Sequence, residues 1–150
     1  LALSTHPPAV FQPHAATLVP TVLSLVEDRY YKITAEALRV SAELARVLRP
    51  SPPDPPTFDF AALVAPLFTC VSARLVAQDQ DQEVKERAIE CVGAVVCRLG
   101  DLHAEALPAL LPVLLERMRN EMTRIAAVKT FALLAAAKVD AQLASPLAGT

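Results

Sequence analysis

Four acidic side chains come closest to a chemical site in this sequence. Asp79, Asp81, Glu83 and Glu90 stand at positions one, three, five and twelve of a calcium-binding loop. The match fails where geometry matters. Position six of such a loop needs glycine for its sharp turn. Here it is Val84, the first residue of an apolar stripe. Asp79 or Asp81 capping a helix start, in a solvated turn, is the better account. Cys70, Cys91 and Cys97 offer three thiols with no CxxC spacing and no histidine close by. Cys70 and Cys91 fall on apolar faces, where free cysteine packs as a small hydrophobe. Cys97 lies off the main stripe, on the side that would meet a neighbouring repeat. His6, His14 and His103 fall at connectors or helix starts and form no group. No GxSxG, HExxH or glycine-rich phosphate loop is present. With three glycines in all, a backbone cradle has little to be made from. The expectation is a protein without catalysis, metal or cofactor.

Composition narrows the class further. The chain has 150 residues, a net charge of −2 and 53% hydrophobic residues. That length can bury one core. Near-neutral charge argues against a nucleic-acid or anionic-membrane surface, which needs a basic excess. No uninterrupted apolar run reaches the roughly 18 residues that span a bilayer. No charged n-region with a cleavage site opens the chain. Three unpaired cysteines suit a reducing compartment. The chain opens on Leu1 and shows no polar-faced terminal unit, so it is expected to be an internal piece of a longer protein.

The elements follow from periodicity. From Asp79 to Gly100 a polar turn leads into a helix, then a stop. Val84, Ala88, Cys91, Val92, Val95, Val96 and Leu99 share one face at intervals of three and four. Gly100 is expected to end it in the left-handed conformation. A helix over about 14–27 carries Leu18, Val19, Val22, Leu25 and Val26. Asp28 is placed to cap the next, about 29–48, with Ile33, Ala37, Val40, Leu44, Val47 and Leu48 on its face. The prolines of residues 6–14 and the five prolines of Pro50–Thr57 exclude helix there, and the second run is expected to be an exposed, extended loop. Asp59 is placed to cap a helix over 60–77. Further helices are expected over about 104–119 and 121–138, with Asn120 between them.

Six helices and no strand give an all-α chain, and its spacing shows repetition. Pro20, Pro66 and Pro112 each interrupt a first helix and stand 46 residues apart. Lys32, Lys85 and Arg124 open the second helices, separated by 53 and 39 residues, together twice 46. Small residues at Ala35, Ala88 and Ala127 let paired helices approach closely. A period of about 40–47 with two helices marks HEAT-type repeats. Such pairs stack into a right-handed α-solenoid, each burying its faces on its neighbours. The expected layout is a preceding end and connector over 1–13, repeats over 14–49, 59–100 and 101–138, the proline-rich loop over 50–58, and the start of a truncated repeat over 139–150.

One surface stands out. Arg29, Tyr30 and Lys32, then Lys85 and Glu86, then Arg124, put charged and aromatic groups at the starts of successive second helices. Second helices usually line the concave face of a solenoid. These residues are ordinary solvated helix starts or a partner-binding ridge anchored by Arg and Tyr.

The segments FQPHAATLVPTVLSLVEDRYYKITAEALRV, DQDQEVKERAIECVGAVVCRLGD and LPVLLERMRNEMTRIAAVKTFALLAA resemble consecutive repeats of the cullin-associated, neddylation-dissociated proteins. These are also described as TATA-binding-protein-interacting proteins. YYKITAEAL, DQEVKERAI and RMRNEMTR are the most specific blocks, closest to the plant and green-algal type. The proline-rich loop and the C-terminal AAAKVDAQLASPLAGT depart from it. The resemblance implies a large all-HEAT protein that wraps an unmodified cullin with its RING subunit and blocks the modification lysine. Such a protein competes with adaptor and substrate-receptor modules, acts as an exchange factor for cullin–RING (SCF-type) ubiquitin ligases, and works in nucleus and cytoplasm without a cofactor. The competing expectation is another HEAT scaffold, such as a nuclear-transport receptor or a phosphatase scaffold. Transport carriers favour acidic inner surfaces, whereas these second helices open with Lys or Arg.

Overall fold

A computed structural model describes residues 2–52, 54–78 and 80–137. Two one-turn helices, α1 (Ala2–Thr5) and α2 (Pro8–Phe11), and a 3-10 turn (Gln12–His14) lead into three antiparallel pairs. These are α3 (Ala15–Val26) with α4 (Tyr31–Leu48), α5 (Ala61–Val76) with α6 (Gln82–Leu99), and α7 (Leu107–Arg119) with α8 (Arg124–Ala136). No strand occurs among the described residues. Asp79, and the truncated repeat expected over 139–150, lie outside them.

The proline-bearing helices α3, α5 and α7 form one layer, and α4, α6 and α8 form the other. They start at Ala15, Ala61 and Leu107, the 46-residue period of their prolines. All three prolines are exposed, so the missing N–H and the ring strain fall on the solvent side of each helix. Neighbours in the second layer pack far more closely than neighbours in the first. A stack curves toward its more closely packed layer, so α4, α6 and α8 line the inner side.

Helix α6 is the centre of the packing. It touches α4, α5 and α8, and every residue of its predicted stripe is at most 4% exposed. Burying a Val or Leu side chain contributes about 1.5–3 kcal/mol, so this helix carries much of the core. Ala35, Ala88 and Ala127 are buried at 2%, 0% and 0%, as close pairing requires.

The polar turns keep the spacing of the sequence, but the helices do not. Asp28 Oδ1 accepts the Tyr30 N–H at 2.8 Å, Asp81 Oδ1 that of Glu83 at 2.9 Å, and Asn120 Oδ1 that of Met122 at 2.9 Å. These three residues are separated by 53 and 39 positions. Helices α4, α6 and α8 begin at Tyr31, Gln82 and Arg124, which are 51 and 42 apart. Only Asp81 directly precedes its helix. Asp28 and Asn120 order a turn first, so Asp28 does not cap α4 itself. Asp59 likewise accepts the Ala61 N–H, at 3.2 Å, one residue ahead of the Phe60 cap position.

Three other expectations are corrected. Gly100 is right-handed, with φ −62 and ψ −34. What favours a small residue there is crowding, since a Cβ would come within 3.3 Å of Val96 Cγ1. Leu25 and Ile33 are 43% and 40% exposed. They line an open groove between α3 and α4 with Val22, Lys32, Glu36 and Val40. The prolines of residues 6–14 do not exclude helix, because Pro8 takes the first position of a turn, where its missing N–H costs nothing.

The stretch Pro8–Val26, taken whole, is long and apolar enough to cross a membrane by length and composition. The structure breaks it at Gln12–His14 and buries Ala15, Val19 and Val26 in the core.

The proline-rich loop is irregular, as expected, yet it is tied down by groups its own sequence does not reveal. Arg49, 4% exposed, donates to Asp101 Oδ1 at 2.5 Å and to Asp54 O at 3.3 Å. Arg98 donates to Pro50 O at 2.5 Å. Gln12 Nε2 donates to Val47 O at 3.1 Å, beside the loop's start.

Candidate partner-binding face

The predicted ridge residues occupy different settings. Tyr30 is 53% exposed and meets Tyr31 edge to face at 5.6 Å. Lys32 is exposed, with Nζ 6.0 Å above the Tyr31 ring. Arg29 is exposed beside them. Lys85 and Glu86 are half-buried, and Glu86 accepts from Gln82 Nε2 at 2.8 Å. Arg124 turns back onto α7, donating to Met118 O at 3.3 Å and Arg119 O at 3.2 Å. It thereby satisfies carbonyls that a helix end leaves open.

Lys32, Lys85 and Arg124 stand at different places in their helices. They are the second, fourth and first residues of their helices. Arg29, Tyr30 and Lys32 do gather in one turn.

Counting from each helix start compares the three helices in another register. Positions two, six, nine and thirteen of a helix lie on one side. In α4 they are Lys32, Glu36, Arg39 and Glu43. In α6 they are Glu83, Arg87, Glu90 and Ala94, and in α8 they are Ile125, Lys129, Ala132 and Ala136. None of these residues is buried. They lie on the solvent-accessible part of the inner layer.

This face changes character along the stack. On α4, Glu36 pairs with Arg39, and Glu43 pairs with Arg46 at 3.2 Å. On α6, Arg87 pairs with Glu90 at 3.0 Å, in the reverse order. The reversal sets Arg87 beside Glu36. The Glu36 carboxyl is held below its usual range by its hydrogen bond to Arg39 and by the charges of Arg39 and Arg87. On α8 the pattern breaks. Ile125 is 70% exposed, and Lys129 has Ala132 where the other helices place its opposite charge. No ion pair to Lys129 occurs among the described residues.

The thiols are set for packing. Cys91 is 1% exposed, and burial pushes its pKa far up. Cys70 is half-buried with its Sγ toward Leu23 O at 3.7 Å. Cys97 is half-buried in a groove of about 500 Å³ with Ala94, Leu133 and the start of the proline-rich loop. Burial raises both of these pKa values too.

A family model described as CAND1-like, TPR repeats matches residues 1–92. The chain belongs to the CAND1-like family. It is 48% identical over 147 residues to Cullin-associated NEDD8-dissociated protein 1 of Arabidopsis thaliana, covering 98% of this chain. It is 43% identical over 143 residues to the protein of that name in Drosophila melanogaster, covering 94%. It is 46% identical over 133 residues to Cullin-associated NEDD8-dissociated protein 2 of Mus musculus, covering 89%. The chain spans about an eighth of the length of these relatives, 12%, 12% and 11%. CAND1-like repeats are thus all-α helix pairs in a solenoid. The spacing of 46 in the first helices exceeds the 34 residues of a TPR unit and falls in the HEAT range.

Proposed function

We propose that this chain is a scaffold segment of a cullin-binding assembly factor that regulates cullin–RING ubiquitin ligases, and that it acts without catalysis. One observation carries the reading. Identity reaches 48% over 98% of the chain with a protein named as cullin-associated and NEDD8-dissociated. The architecture is compatible with it. An open inner face on stacked pairs offers a long surface to another protein. In the whole protein, this scaffold holds an unmodified cullin with its RING subunit and yields to substrate-adaptor modules.

Among the turn residues, we assign partner contact first to Arg29, Tyr30 and Lys32. They are exposed and lie together, and Tyr and Arg anchor interfaces well. Lys85 and Glu86 are half-buried, and Arg124 is engaged by α7, so these three contribute less.

The test is a pull-down with the full-length protein, offering cullin–RING complex with and without NEDD8. Retention of the unmodified form alone is the expected result. Retention of neither form ends the cullin assignment, and equal retention of both ends the claim of discrimination.

A further inference from the structure

We propose that Ser51 is a phosphorylation site for a proline-directed serine kinase, and that Arg98 of α6 receives the phosphate and fastens the proline-rich loop to the second repeat. The proposal stands apart from the cullin reading above. Three observations support it.

The first is access. Ser51 is exposed, it follows the end of α4 at Leu48, and the next helix begins only at Ala61. Among the described residues it is the one serine or threonine followed directly by proline. Pro52 favours extended backbone in the residue before it, the form in which a kinase cleft takes its substrate. One turn bond, from the Asp54 N–H to Ser51 O at 2.9 Å, has to open for this, a small cost for a single exposed hydrogen bond. The second is distance. Arg98 Nη1 donates to Pro50 O at 2.5 Å. Peptide geometry puts the next Cα, that of Ser51, about 2.8 Å from that oxygen. The oxygens of a phosphoserine stand roughly 4–5 Å from its own Cα. A phosphate on Ser51 therefore reaches the guanidinium, whose planar fork can take two of its oxygens at once.

The third is charge. Ser51, Arg46 and Arg98 line one groove of about 500 Å³. Glu43, on the same groove, pairs with Arg46 at 3.2 Å. Arg49 is turned to Asp101 and to Asp54 O. Among the described residues no carboxylate pairs with Arg98. An added phosphate thus meets a cation that holds only a carbonyl. In the transfer, Ser51 Oγ attacks the γ-phosphorus of ATP. The Oγ–P bond forms, the bond from phosphorus to the ADP oxygen breaks, and the hydroxyl proton passes to the kinase's own base.

The experiment treats the full-length protein with a cyclin-dependent kinase and ATP and maps the phosphate by mass spectrometry. Ser51→Ala is the control, because Ser145 also precedes a proline. The resonance that Ser51→Ala lacks is then titrated by phosphorus NMR, folded and in urea. A free phosphoserine takes its last proton at about pH 6. The folded protein is expected to titrate about half a pH unit or more below the unfolded one, because a cation at contact favours the dianion. Arg98→Gln is expected to abolish that difference. Arg98→Lys, which keeps the charge without the fork, is expected to retain part of it. Absence of phosphate at Ser51 overturns the proposal. So does a folded wild type that titrates as the unfolded protein does, or an undiminished difference in Arg98→Gln. Circular dichroism checks that both Arg98 variants fold, and the wild-type comparison decides the pairing without them.

Discussion

A Cβ placed on Gly93 would lie 2.6 Å from Cγ2 of Thr130. Helices α6 and α8 therefore approach as closely as they do because one of them has no side chain at that point. Thr130 Oγ1 also donates to Ile89 O at 3.3 Å across the same crossing. Gly93→Ala should gain about 1 kcal/mol of helix propensity. It should still lose about 1–3 kcal/mol net by overpacking. Thr130→Ser removes the offending methyl and keeps the hydroxyl, so Gly93→Ala/Thr130→Ser should recover most of the loss. Urea unfolding of the four chains measures the coupling. A Gly93→Ala chain as stable as the original would show that the two helices can part.

Arg49 is expected to hold the proline-rich loop on the second repeat. Its side chain is 5% exposed and bonded to Asp101, whose own side chain is 37% exposed. Water can reach the acid, so removing the cation strands a group that can be resolvated. Arg49→Met should cost about 2 kcal/mol, in the range of a charged hydrogen bond, and not the larger penalty of a fully buried pair. Limited proteolysis should then cut faster between residues 50 and 58. An unchanged cleavage rate would mean that Arg98 and Gln12 suffice.

Arg117 links the first helices of successive repeats. It is 6% exposed and donates to Leu75 O at 2.9 Å, in the last turn of α5. The carbonyls of a helix end lack partners within the helix. Arg117→Met keeps the bulk and leaves that carbonyl unpaired, so a loss of about 1–2 kcal/mol is expected in thermal melts. Stability equal to the original chain would show that another donor reaches Leu75 O.

Cys91 should make the chain alkali-sensitive. Burial raises its thiol well above the ordinary 9.0. The folded chain keeps this proton, while the unfolded chain releases it above about pH 8.5. The stability is thus complete below that pH and falls as pH rises toward the folded value, by up to about 1.4 kcal/mol per pH unit. Cys91→Ala should lower stability at every pH but reduce its fall between pH 7.5 and pH 10, measured by urea unfolding. The same slope in both chains would place the alkaline loss elsewhere, for instance at the half-buried Cys70 and Cys97.

Much of this architecture was legible without coordinates. The three prolines at 46-residue intervals mark the first helices, because an intrahelical proline is tolerated only where its missing N–H can face solvent. The stripe from Val84 to Leu99 is fully buried, because seven apolar side chains on one helix face leave no other stable arrangement. The binding ridge was less legible. Its residues were aligned through Asp28, Asp81 and Asn120, which do mark equivalent turns. The number of residues between each turn and its helix is not written in the residue types.

The sequence alone determined the helix pairs, their period, their small-residue contacts and the family resemblance, because periodicity and local capping chemistry are properties of nearby residues. Tertiary structure decided the rest. It buried Arg49 and Arg117 where carbonyls and a carboxylate from distant residues could satisfy them, and it left Leu25 and Ile33 in an open groove between α3 and α4. It also set the starts of α4, α6 and α8 51 and 42 residues apart, where the turns before them are 53 and 39 apart. Where each helix begins after its turn is fixed only when the helices pack.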